Sequence, residues 1–347
     1  GGPCSRGLAP CSNSTGLALS YAISMPRDLM WLSRRLASME VEFVSIERVM
    51  EYARLPAEPR GGGERQISGS AWAVQADGVR LRYDPEATPA LDGLSMGVKA
   101  GSRAALVGRT GSGKSSLVSA VVRLYPIESG SLYVHGCNVN MASLSALRST
   151  VRVLLQDPVF FSGTIRSNLL SVSGTAAVHT EDSSAEDAAL WRVLGMAALE
   201  ERVRRLPGSL DATVEEAGQN FSQGERQLLC LARVLADSPR RATGHEPANQ
   251  MLGPRILVCD EPTSSCDLAT DELIHSTLLH GLPEEWTLIV ICHRLHRIRE
   301  FDAVFVLRDG HLVEEGSPDD LLPPLGTSEL PQGVLAQMCQ QQQLAKR

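Results

Sequence analysis

The 347-residue chain is predicted to be an α/β protein with a mostly parallel core sheet, and two observations carry that prediction. The first is Gly108-Arg109-Thr110-Gly111-Ser112-Gly113-Lys114-Ser115, which follows the apolar run 104–107 and leads into 116–122, a segment with helical periodicity. Strand, glycine loop and helix are the context in which G-x-x-x-x-G-K-[ST] reads as a phosphate-binding loop. The glycines let successive backbone N–H groups converge on one anion, with the positive end of the helix behind them. The second is a pair of continuous apolar runs, 256–259 and 287–292, as central parallel strands covered on both faces require.

Bulk composition agrees with a globular core: 43% of residues are hydrophobic and 21% charged. The net charge of -7 argues against a nucleic-acid partner held through a broad basic surface. The eight cysteines include no C-x-x-C pair and no cluster at zinc spacing, and several lie inside apolar runs. They read as buried, reduced thiols of a reducing compartment. No signal-peptide pattern is present, and Gly1 in place of Met implies a piece of a longer chain.

Taken in order, the chain opens with a leader, 1–15. Residues 16–54 follow, apolar at first and then, beyond Arg34 and Arg35, charged and periodic. Hydropathy leaves two readings open here: the end of a membrane helix with a cytoplasmic extension, or an ordinary amphipathic helix. Residues 55–70, rich in proline and glycine, read as a linker. The main domain, 71–325, begins with strand-like segments at 72–75, 79–83 and 91–98. Beyond the glycine loop, 131–136 and 151–155 read as strands, 144–149 as a helical turn, and 165–205 as mostly helical with a polar break at 171–184. Residues 218–224 read as a loop, 225–236 as a helix and 237–254 as an exposed insertion. Asp309-Gly310 between 304–307 and 311–313 marks a hairpin. The Gln-rich end of the tail, 326–347, carries no signal.

A phosphate loop by itself provides binding. Turnover needs a carboxylate for Mg²⁺ and a group that positions the attacking water. Lys114 is placed to reach the β- and γ-phosphates and the Ser115 hydroxyl to hold the metal. The run 256–259 ends in Asp260-Glu261, at the strand end where ligands collect in open α/β sheets. Asp260 is assigned to Mg²⁺ and Glu261 to the water.

Taken with these motifs, the chain resembles the nucleotide-binding domain of ABC transporters over residues 71–325. The resemblance implies a P-loop NTPase fold of ABC type: a mostly parallel core sheet, an antiparallel β subdomain and a helical subdomain, preceded by a helical segment. It implies ATP and Mg²⁺ as ligands and extends the nucleotide contacts to the whole of Gly108, Arg109, Thr110, Gly111, Ser112, Gly113, Lys114, Ser115 and Ser116. Tyr83 matches the aromatic that stacks on adenine, and Gln156 the glutamine that contacts Mg²⁺ and senses the membrane domains. Phe221-Ser222-Gln223-Gly224-Glu225 stands in the place of the signature motif, with Ser222 and Gly224 retained. Asp267 matches the D-loop and His293 the histidine that contacts the γ-phosphate.

Residues 107–111, 156–166 and 220–222 are similar to the second nucleotide-binding domain of class C, the multidrug-resistance-associated group. So is 20–49, to that group's last membrane helix and its extension. The resemblance implies an exporter motor that dimerises head to tail with a second nucleotide-binding domain and couples to membrane domains. The whole protein would be multi-pass in the membrane with this domain in the cytosol, and no nucleic acid is expected. Gln223, Glu225 and Cys266 depart from the family pattern, which weakens the site this signature would complete. A soluble ABC ATPase acting on nucleic acid or ribosomes, and a nucleotide sensor gating a partner, are the rival readings.

Overall fold

The structure, a computed structural model, describes residues 12–58, 70–157, 159–170, 183–236, 255–262, 268–323 and 333–344. It divides into two compact units, Gly1–Pro59 and Arg60–Arg347. The expected insertion 237–254, most of the linker and Asp267 lie outside the described residues.

The first unit is one helix, α1 (Ser12–Ala53), which runs through Pro26. It spans both the apolar stretch and the charged extension, as either sequence reading required, and it takes in residues 12–15, which the sequence placed in a leader. No described helix is long and apolar enough to cross a membrane. Large apolar side chains along α1, among them Ile23, Trp31 and Phe43, are exposed.

The second unit begins with β1 (Trp72–Leu81), β2 (Leu91–Lys99) and β3 (Arg103–Gly108), followed by α2 (Lys114–Val121), β4 (Ser129–Val134) and β5 (Cys137–Asn138). Then come α3 (Leu144–Thr150), β6 (Val151–Leu154), β7 (Gly163–Thr164), α4 (Ile165–Leu170), α5 (Ser183–Met196), α6 (Glu200–Arg204) and β8 (Thr213–Val214). The remainder is α7 (Gln223–Ala236), β9 (Ile256–Asp260), α8 (Leu268–His280), β10 (Thr287–Ile291), β11 (Ala303–Arg308), β12 (His311–Gly316), α9 (Pro318–Leu321) and α10 (Val334–Leu344).

The core sheet has the order β12-β11-β3-β10-β9-β6. Every pairing from β11 to β6 is parallel, and β12 returns antiparallel through the Asp309-Gly310 turn, where both residues have positive φ. Alternate residues of each central strand enter opposite cores. Ala105, Val107, Leu257, Cys259, Leu288 and Val290 face the helical layer, whereas Ala104, Leu106, Ile256, Val258, Ile289 and Ile291 face α2 and the second sheet. That two-sided burial is the reason the runs are apolar at every position. The second sheet is antiparallel, β2-β1-β4-β5.

Three expectations need correction. The segments 72–75 and 79–83 are one strand, β1, irregular in register between Ala76 and Val79, and Tyr83 lies beyond its end. Helix α7 starts at Gln223, two residues earlier than expected. The Gln-rich tail, which carried no signal, forms α10, with Leu335 and Ala336 in the core. The described cysteines are free thiols, as expected, and burial pushes Cys292 up to about 12.

Candidate functional site

The parallel strands β3, β10 and β9 lie side by side, so the loops leaving their C-terminal ends meet along one edge. Those loops carry the glycine loop, His293 and the Asp260-Glu261 pair. The first leaves β3 at Gly108, a position with no room for a side chain. A Cβ there would lie 2.4 Å from Ser112 Oγ and 2.5 Å from the Leu307 carbonyl. Gly111 and Gly113 take positive φ, of 83° and 100°, and a Cβ on Gly113 would lie 2.6 Å from the Ala90 carbonyl.

Helix α2 starts at Lys114, with Gly113 as its N-cap and no side-chain cap. Its first N–H groups therefore meet the helix dipole without an internal acceptor, which is the physical basis of anion binding at a helix end. The buried Ser112 hydroxyl has no partner among the described residues. Lys114 is 6% exposed and folds back over the loop, donating from Nζ to the carbonyls of Gly108 at 2.8 Å and Arg109 at 3.1 Å. Burial draws its pKa below the ordinary lysine value, while the carboxylates of Glu261 and Asp260 pull the other way. Arg109, Thr110 and Ser115 are exposed, and Ser116 is buried.

Ser115 Oγ donates to Asp260 Oδ2 at 3.1 Å, joining α2 to the end of β9. Two hard oxygen donors side by side, one of them a carboxylate, fit a divalent ion such as Mg²⁺. Glu261, at φ 48°, turns away from the strand direction and its Oε1 lies 3.4 Å from His293 Nε2. Tyr83 is half exposed, donates to Ser116 Oγ at 3.0 Å and meets Tyr125 edge to face at 4.6 Å. A cleft of about 490 Å³ opens between the start of the glycine loop, the His293 segment and α10, lined by Arg109, Thr110, His293, Leu295, Met338 and Gln341 among others.

The remaining sequence-predicted residues come from the ends of β6 and α7; Gln156 leaves the same edge of the sheet as the site, since Leu154 of β6 pairs in parallel with Cys259 of β9. Gln156 follows β6 with an exposed side chain, and its carbonyl accepts from Gln227 Nε2 at 2.6 Å. Ser222 and Gly224 stand at the start of α7, where Ser222 and Glu225 form a reciprocal cap. The Ser222 N–H donates to Glu225 Oε2 at 2.9 Å, and the Glu225 N–H to Ser222 Oγ at 3.2 Å. Arg202 Nε adds a bond to Glu225 Oε1 at 2.7 Å. Burial pushes the Glu225 carboxyl up, but the Ser222 and Arg202 hydrogen bonds outweigh it and hold the group below its ordinary value.

Sequence reasoning missed two supports of the His293 segment. Asp271 of α8, 2% exposed, lies 3.6 Å from both Arg294 Nη1 and His296 Nε2. Gln342 of α10 bonds the backbone on either side of Arg294. The spacing of Leu335, Met338, Cys339 and Gln342, one face of a helix, was the available signal.

Residues 91–264 match the family model described as ABC transporter. The chain is 34% identical over 312 residues to ATP-binding cassette sub-family C member 8 of Cricetus cricetus, a match covering 88% of this chain and 18% of that protein. It is also 34% identical over 317 residues to ABC transporter C family member 3 of Arabidopsis thaliana, covering 90% of this chain and 19% of that protein. The chain thus spans under a fifth of the length of these relatives. Among solved structures, a bacterial Atm1-family ABC exporter with ATP bound superposes with a TM-score of 0.71 at 28% identity, over 93% of this chain and 51% of that one.

Proposed function

The chain belongs to the ABC transporter family, and we propose that its second unit is an ATP-binding and ATP-hydrolysing motor domain of a membrane exporter. The observation that carries this reading is the meeting of Lys114, Ser115–Asp260 and Glu261–His293 at the C-terminal ends of three adjacent parallel strands.

In this reading the backbone N–H groups of residues 109–115 and the Lys114 ammonium hold the ATP phosphates, and Tyr83 offers its ring to the base. Ser115 and Asp260 would hold Mg²⁺, with Gln156 moving in to complete its shell. The ion, when bound, neutralises charge on the β- and γ-phosphates. Glu261 accepts the proton of the attacking water or orients it, and His293 donates to the γ-phosphate oxygens while its contact with Glu261 keeps both aimed at one point. Ser222, Gly224 and Asp267 would serve a second nucleotide-binding domain across a head-to-tail interface. Closure of that interface on ATP, and its release after hydrolysis, would drive the transmembrane domains. The similarity to sub-family C relatives supports class C, and the likeness to a bacterial ABC exporter supports export.

Calorimetric titration of MgATP into the assembled transporter, beside a Lys114→Ala variant, tests the reading. ATP affinity is expected to fall by at least about tenfold in the variant, since one charge-assisted contact contributes roughly 1.5–3 kcal/mol. Unchanged affinity would remove the glycine loop from the site.

A further inference from the structure

We propose that Gln342, on the C-terminal helix α10, is a positioning residue for His293; the inference rests on the function proposed above. One carboxamide does two jobs here. Its Oε1 accepts from the Leu295 N–H at 3.0 Å, and its Nε2 donates to the His293 carbonyl. The pair brackets the backbone just after β10 has left the sheet, where the last rung is the Cys292 N–H bonded to the Leu106 carbonyl. Beyond that rung no core-sheet residue among those described holds residue 293, yet its imidazole must stay opposite Glu261, 3.4 Å away. Gln342 restrains this backbone directly, beside the contacts of Asp271 with the Arg294 and His296 side chains.

The restraint is rigid because α10 is anchored at its other end. Glu314 of β12 accepts from the Val334 and Leu335 N–H groups, filling the helix start with a carboxylate, which also suits the helix dipole. Gly333 reaches this cap at φ 101°, and a Cβ on it would lie 2.9 Å from Glu314 Oε1. Leu335 and Ala336 are buried in the core of the helical layer, with Met338 and Cys339 packed against it. The helix therefore connects the outer edge of the sheet to the backbone of the site. Glutamine is the residue type the geometry needs, since a carboxylate lacks the donor and a thioether lacks the donor and accepts only weakly.

The test uses the assembled transporter with Gln342→Met, Gln342→Glu and, as a control on the exposed face of the same helix, Gln340→Met. Hydrogen–deuterium exchange at the Leu295 amide should rise in Gln342→Met, stay near wild type in Gln342→Glu, which keeps the acceptor, and be unchanged in Gln340→Met. Both Gln342 variants should lower kcat for ATP by about tenfold while KM moves by less than about twofold, as expected when a reacting group is misplaced by a fraction of an ångström. Wild-type kcat in both Gln342 variants, or faster turnover, would overturn the inference while leaving the motor reading intact. If the wild-type transporter itself failed to hydrolyse ATP, the motor reading would fall, and unaltered Leu295 exchange in Gln342→Met would separately overturn the contact.

Discussion

His293 Nε2 lies 3.4 Å from Glu261 Oε1, although the two residues leave the sheet from different strands. The register explains the meeting. Ile291 of β10 pairs with Asp260 of β9, so Glu261 is the first residue past its strand end and His293 the second past its own, and at Glu261 the backbone turns left-handed. Glu261→Gln keeps the shape and removes the proton acceptor. ATP binding should persist in the assembled transporter while turnover falls by roughly 10²–10⁴, the usual loss of a general base. Phosphate-release kinetics beside a nucleotide-binding assay measures both, and unchanged turnover would take Glu261 out of its role.

Glu225 has a local structural role at the start of α7. Glu225 caps Ser222 and is held by Arg202, so it stabilises the start of α7 from within. Glu225→Ala should lower stability by about 1 kcal/mol, the typical value of a helix cap, and Glu225→Gln by less, because the amide oxygen still accepts from Ser222. Denaturant titration of the three proteins would show this order; equal stabilities would mean that the cap contributes nothing.

Gly108→Ala places a methyl group against the Leu307 carbonyl, which belongs to the sheet and cannot move aside cheaply. A loss of roughly 1–3 kcal/mol is expected from overpacking, together with weaker ATP binding as the loop is displaced. Thermal denaturation and nucleotide titration check the two effects. Gly111→Ala, with open space around its Cβ, should instead act through its backbone conformation alone, and cost less.

His135 is 3% exposed, sits at φ 44° in the turn between β4 and β5, and has no partner for either ring nitrogen among the described residues. Burial lowers its pKa from the ordinary 6.5. As pH falls below 6.5 the unfolded chain takes up a proton that the folded protein resists, so stability declines with acidification until the folded pKa is reached. His135→Asn, which tolerates the same turn conformation, should flatten the fall in Tm between about pH 7 and pH 5. An undiminished slope would assign the pH dependence to other groups, among them His275, whose pKa burial also lowers.

The glycine loop, the Asp260-Glu261 pair and the central strands were legible in the sequence because each is a local pattern. A run that is apolar at every position says that both faces are covered, and G-x-x-x-x-G-K-S needs only its flanking strand and helix to be read. Helix α10 was overlooked because its glutamines mask a face whose meaning depends on what it meets. Gln342 has no distinguishing neighbour in sequence, and only packing brings it to the His293 backbone. The same holds for Asp271 beside Arg294 and His296. The sequence alone determined which side chains could bind phosphate, metal and water, since those abilities belong to residue types and short spacings. Tertiary structure alone decided that Ser115 meets Asp260, that Glu261 meets His293 and that the C-terminal helix steadies the histidine. Each of these contacts joins segments far apart in the chain, and their distances are set by strand order and register, which no local pattern encodes.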